Sequence, residues 1–229
     1  MSHEYFHAFN VKRLRPVGLG PFDFEHPAST VSLWISEGLT SYYGELMVAR
    51  AGLSSPADFL ATLSSHIRNV QHSPGRLVQT LEQASLNVWT AGTSGIGQDP
   101  ETTVSYYEKG PIVGFLLDAR IRRLTNGAKS LDDVMRLAYT RYSGARGFTH
   151  DQFIEAAESV AGTPLKEFFR SAVFSTDELD YAEALGRFGL QFVETTEPAR
   201  DWVLAPRPDA TVAQKARLAA FVAVTIGAR

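Results

Sequence analysis

With 229 residues the chain is long enough to bury a core without staples, and 44% hydrophobic with 21% charged residues is an ordinary globular composition. No apolar run approaches the ~20 residues that span a bilayer, and 22 basic against 25 acidic residues, a net charge of -3, give no electrostatic reason to expect nucleic acid. The lack of cysteine removes disulfides, thiolate metal sites and cysteine nucleophiles together, so a transition-metal site would have to be built from histidine and carboxylate. The expectation is a soluble protein, cytoplasmic or periplasmic, with no membrane partner.

Helical periodicity dominates the chain, with no internal repeat and no low-complexity tract, so the fold class reads as mainly α. The first helical segment carries His3 to His7. Val31, Trp34, Ile35, Leu39, Tyr42, Tyr43 and Leu46 then fall on one stripe, with Ser29 and Thr30 as candidate caps and Gly52 as the stop. Ser55-Pro56 opens a helix toward Val70, since proline is preorganised for the first helical position. A further segment from about Gly75 to Trp89 precedes a loop rich in Gly, Thr and Ser that reaches Pro100. The periodic stretch from Tyr106 to Thr125 ends at Asn126-Gly127, and helix starts are predicted at Ser130, Thr149 with Gln152, Thr163-Pro164 and Thr211 with Gln214. Strand content is predicted to be at most one or two short strands near 190–194, within Leu190 to Glu194. Glu197 to Pro208, with three prolines, reads as a linker to a terminal helix running from Thr211 to about Val224. The chain therefore divides into a helical part over 1–195 and a linker with a C-terminal helix over 196–229.

His3-Glu4-Tyr5-Phe6-His7 has the H-E-x-x-H spacing, which puts two imidazoles one helical turn apart on one face, where both can reach one ion. Glu4, beside them, is placed to take the proton of a water activated at that ion. The bland alternative is two ordinary helix histidines. A catalytic zinc takes a third protein ligand and keeps its fourth position open. Glu37 is the stronger candidate, because a carboxylate in the aromatic-rich segment Trp34 to Thr40 is costly to bury without a cation. Its bland reading is a solvent-facing helix carboxylate. Glu25 and His26 are nearer in sequence, but they fall in a loop between Pro21 and Pro27 and read as a surface turn.

His3 to Pro16, followed by Trp34-Ile35-Ser36-Glu37-Gly38-Leu39-Thr40-Ser41-Tyr42-Tyr43-Gly44, resembles the catalytic region of the glycyl aminopeptidase family, gluzincin metallopeptidases related to thermolysin. The resemblance runs on through Ser105-Tyr106-Tyr107-Glu108-Lys109-Gly110 and, more loosely, to about Gly189. It implies the helical lobe of a thermolysin-like catalytic domain, with His3, His7 and Glu37 holding one zinc ion, Glu4 as general base and Tyr107 donating a hydrogen bond to the tetrahedral oxyanion. Ser41, Thr40, Asn10 and Lys12 are neighbours to which the sequence gives no role. Family members place a β-rich lobe ahead of the metal helix. With His3 third in the chain, the expectation is a truncated part of the enzyme that holds zinc weakly and self-associates through the face the lobe would cover. The functional expectation is a zinc aminopeptidase acting on peptide substrates. The alternatives are an inactive helical metal-binding or interaction module and a purely structural domain.

Overall fold

The computed structural model describes residues 1–21, 23, 25–88, 99–193 and 202–223. Trp89, the Gly/Thr/Ser loop beyond it, Glu194, the 195/196 boundary, Glu197 to Arg200 and Val224 lie outside these residues.

The fold is mainly α, with one two-stranded sheet among the described residues. Helix α5 (Tyr106–Leu124) runs through its middle. Ile112, Val113, Phe115, Leu117, Ala119 and Ile121 are each 0–1% exposed, and burial all round is why this helix shows only a weak amphipathic stripe. It ends where Asn126 and Gly127 take positive φ. Around it pack α2 (Leu39–Arg50), α3 (Pro56–Gln71), α4 (Leu81–Asn87), α6 (Leu131–Tyr142), α7 (His150–Ala161) and α9 (Ala182–Phe188). Helix α1 (Ser2–Phe6) lies on α2, and α8 (Lys166–Ala172) adds Phe168 and Phe169 to the core.

Buried polar ties fix the helices to one another. The fully buried Asp118 carboxylate of α5 accepts from the Tyr42 hydroxyl at 2.9 Å, Arg122 Nε at 2.8 Å and the Leu131 amide at 3.0 Å. Each of those donors belongs to a different stretch of chain, so one carboxylate sets the relation of α2, α5 and the start of α6. Ser55, Thr80, Ser130, Thr149 and Thr211 all close capping boxes with the residue three positions on.

Four expectations need correction. The segment expected from Gly75 is a short 3-10 turn (Pro74–Leu77) and then α4, because Thr80 and Gln83 form a capping box that starts the helix afresh. Ser29 and Thr30 do not cap the stripe helix: it starts beyond them, where Ser32 accepts from the amides of Ile35 and Ser36 and the Trp34 amide donates to Ser85 Oγ of α4. The start expected at Thr163-Pro164 falls at Lys166. Within the expected linker, strand β2 (Leu204–Pro206) pairs antiparallel with β1 (Leu190–Phe192), its proline sitting at the end of a two-stranded ladder where no further donor is needed. Beyond it α10 (Val212–Val222) carries Phe221, 0% exposed, into the ring cluster of Phe59, Phe115 and Phe188.

Candidate metal centre

The Glu37 carboxylate sits on an irregular turn. Trp34 to Gly38 form one π-helical turn that leads directly into α2, and Glu37 occupies its fourth position. A π-turn carries one residue more than an α-turn and shifts the direction in which its side chains leave the axis, which is why such turns recur at functional sites. Trp34, Ile35, Ser36 and Gly38 are buried and Glu37 alone of the five is half-buried.

Three donor atoms converge at the junction of α1 and this turn. His3 Nε2 lies 3.3 Å from Glu37 Oε2, His7 Nε2 lies 3.3 Å from the same oxygen, and the two Nε2 atoms are 3.1 Å apart. Two zinc–ligand bonds of ~2.1 Å at a tetrahedral angle put their donor atoms roughly 3.3–3.4 Å apart. The triangle fits one face of such a tetrahedron, and the side chains remain 20–25% exposed, which leaves a fourth position accessible.

The outward ring nitrogens orient the imidazoles. His7 Nδ1 is 3.0 Å from the Asn10 carbonyl oxygen, an acceptor only, so Nδ1 carries the proton and a neutral ring presents a bare lone pair at Nε2. His3 Nδ1 is 3.1 Å from Ser41 Oγ, one turn beyond Glu37. Asn10 also joins the two halves of the site. Its side chain is fully buried, and Nδ2 donates to the carbonyls of Ile35 (2.8 Å) and Ser36 (3.2 Å) and to Thr40 Oγ1 (3.0 Å). The residue after it, Val11, takes φ +100, a conformation that costs a β-branched residue on the order of 1–3 kcal/mol.

Tyr107, in the first turn of α5, brings its phenol to Glu37, with its ring centroid 6.0 Å from that of His3. Burial first, then the Glu37 carboxylate and its hydrogen bond, hold this phenol well above the ordinary tyrosine value, so it remains a donor. Tyr106 beside it is raised by burial and by Glu37 as well, but its side chain is packed in the core. Glu4 is exposed on α1, next in the chain to His3, and its charge reaches the Tyr107 phenol. The structure thus gathers His3, Glu4, His7, Glu37 and Tyr107 in one place. Glu25 and His26 lie elsewhere, in an exposed turn around Asp23, where His26 Nδ1 meets Asp23 Oδ2 at 2.8 Å.

Residues 1–113 match the M61 glycyl aminopeptidase family. The matched segment is a little under half of the chain. All five converging residues fall within it. Among solved structures, an aminopeptidase N family protein from Idiomarina loihiensis superposes with a TM-score of 0.77 at 28% identity, over 82% of this chain and 32% of that one. The chain therefore spans about a third of that protein's length. No curated protein matches it. No described helix is long and apolar enough to cross a membrane.

Asn10 and Ser41 are the parts of this site that sequence reasoning left without a role. Ser41 had a usable signal, since it stands one helical turn from Glu37 on the same face. Asn10 had none, because its acceptors belong to a segment 25 or more positions away.

Proposed function

We propose that the chain carries the zinc site of an M61 aminopeptidase, with His3, His7 and Glu37 as the protein ligands. The observation that carries this reading is the convergence of three lone-pair donors, two imidazole nitrogens and a carboxylate oxygen, at 3.1–3.3 Å. Zinc bound there would lower the pKa of a water in the open position toward ~7 and polarise the scissile carbonyl.

The chain's own residues supply the rest. The Glu4 carboxylate takes the proton of the attacking water and returns it to the leaving amine. The Tyr107 phenol, kept protonated by burial and by Glu37, donates to the oxygen that becomes negative as the carbonyl turns tetrahedral. Ser41 and the Asn10 carbonyl keep both imidazoles turned inward. The substrates are peptides with a free N-terminus. A preference for glycine or another small N-terminal residue rests on the family description alone.

Zinc titration of the metal-stripped chain, followed by assay on fluorogenic glycyl and alanyl amides, tests the reading. About one equivalent of zinc should bind, His3→Ala and Glu37→Ala should lose it, and Glu4→Gln should keep it while hydrolysis falls to background. Failure to bind zinc, or ligand variants that bind as wild type does, overturns the assignment. Stoichiometric zinc without turnover would leave an inactive metal-binding module.

A further inference from the structure

A second cluster of titratable groups lies beside the metal centre. His66, on α3, places Nε2 2.8 Å from Glu45 Oε1 of α2 and Nδ1 2.7 Å from Glu108 Oε2 of α5. Both ring nitrogens face carboxylates, so both carry protons and the ring is an imidazolium shared between two helices. Asn69, three residues along α3, adds a donor to Glu108 at 3.1 Å. The side chains of His66, Glu45 and Glu108 are 14%, 26% and 31% exposed, which separates this bridge from a solvated surface pair.

Its position gives it a consequence. Glu37, Ser41 and Glu45 recur at intervals of four along one face of the helix that begins with the π-turn, so the face that holds the metal ligand also holds one end of the bridge. The other end, Glu108, directly follows Tyr107 in the first turn of α5. Besides the bridge itself, the charged and titratable groups around the same cleft are the Met1 amino group, His3, Asp58 and Tyr107, and His66 is the group that joins Glu45 to Glu108.

We propose that His66 is a positioning residue: by bridging Glu45 and Glu108 it fixes the first turn of α5 and so holds the Tyr107 phenol at the metal centre. Its bearing on catalysis rests on the peptidase reading, but the placement of Tyr107 can be measured without turnover.

The test uses the full chain with ring-13C tyrosine, the Tyr107 resonance being identified by its loss in Tyr107→Phe. His66→Gln should move that resonance, His66→Arg, which can donate to both carboxylates, should return it toward the wild-type position, and Glu108→Gln should move it as His66→Gln does. In the zinc-loaded enzyme His66→Gln should lower kcat about tenfold to a hundredfold with KM little changed, since small misplacements of a catalytic group cost that much. In a Tyr107→Phe background it should lower kcat no further. A Tyr107 resonance that stays in place in both His66→Gln and Glu108→Gln overturns the proposal, as does an undiminished kcat loss without Tyr107. If wild type shows no hydrolysis, that counts against the peptidase reading alone and the resonances still decide the role of His66.

Discussion

Gly38 and Gly110 meet backbone to backbone: a Cβ on Gly38 would fall 2.7 Å from the Gly110 Cα, and one on Gly110 would fall 2.6 Å from the Gly38 Cα. Each glycine sits beside a residue of the site. Gly38 follows Glu37, and Gly110 stands one turn after Tyr106 and Tyr107. The close crossing of the π-turn over α5 is what brings the phenol of one helix to the carboxylate of the other.

Gly38→Ala therefore cannot be absorbed by a side chain, since only backbone lies in the way. Overpacking of this kind costs about 1–3 kcal/mol, which for a chain of this size lowers Tm by roughly 3–10 °C. Thermal unfolding of metal-free protein checks it, and an unchanged Tm would show that the two helices can part freely. Gly110→Ala should behave alike.

Gly44 has a different neighbour. A Cβ there would lie 3.1 Å from the His3 amide nitrogen and 3.2 Å from its Cα. Helix α1 has five residues, none of them buried, so it is the partner that gives way. Gly44→Ala should cost less than about 1 kcal/mol in unfolding while weakening zinc by tenfold or more, because a shift of His3 spoils ligand geometry before it spoils the core. Gly186→Ala, with open space around its Cβ and a place inside α9, is the control expected to leave both unchanged or to raise stability slightly. Zinc affinity by competition with a chelating dye separates the two variants, and equal affinities would refute the reading of the Gly44 contact.

The difference between Gly38 and Gly44 shows where sequence reading runs out. H-E-x-x-H, the stripe from Trp34 to Leu46 and the boxes at Thr149 and Thr211 are local: one turn of chain contains the whole cause, so they are legible. The π-turn is not, because nothing in Trp34-Ile35-Ser36-Glu37-Gly38 favours an extra residue per turn. That geometry is held from outside, by Ser85 at its first amide and Asn10 at two of its carbonyls. Strand β2 was hidden for a related reason, since Pro206 and its neighbours Pro198 and Pro208 speak for a linker and its ladder partner lies across a segment of other composition. Glu37 itself was legible through cost, as a carboxylate among aromatics.

Asn10 makes a sharper test of that outside control. Asn10→Asp keeps the shape but turns the donor that serves the Ile35 and Ser36 carbonyls and Thr40 into an acceptor, and buries a charge. Asn10→Ala leaves those carbonyls without their partner, at about 1–3 kcal/mol. The aspartate should cost more than the alanine, and both should weaken zinc even though the bond from His7 Nδ1 to the residue-10 carbonyl survives. Denaturant unfolding gives the order. Alanine proving the worse of the two would mean that Asn10 acts by filling space and not by donating.

The His66 bridge also sets a pH dependence. Burial alone would pull this histidine down, but the hydrogen bonds to Glu108 and Glu45 outweigh it and raise the value from 6.5 to about 9. Between those two values His66 is more fully protonated in the folded chain than in the unfolded one. The bridge is therefore fully stabilising below pH 6.5 and is lost as pH rises through about 9. At about 1.4 kcal/mol per pH unit, that window bounds the effect near 3 kcal/mol. Lys109 works in the opposite sense: burial lowers it to about 8 against the opposing charges of Glu178 and Asp177, so its contribution makes stability rise with pH from about 8 to 10.5. Wild type alone would mix the two. The unfolding free energy of wild type minus that of His66→Gln, measured in metal-free protein at steps from pH 6 to 9.5, isolates the bridge, since Lys109 is common to both. That difference should shrink steadily toward the alkaline end, and one that holds constant or grows would mean that the imidazole is not shared as a cation between Glu45 and Glu108.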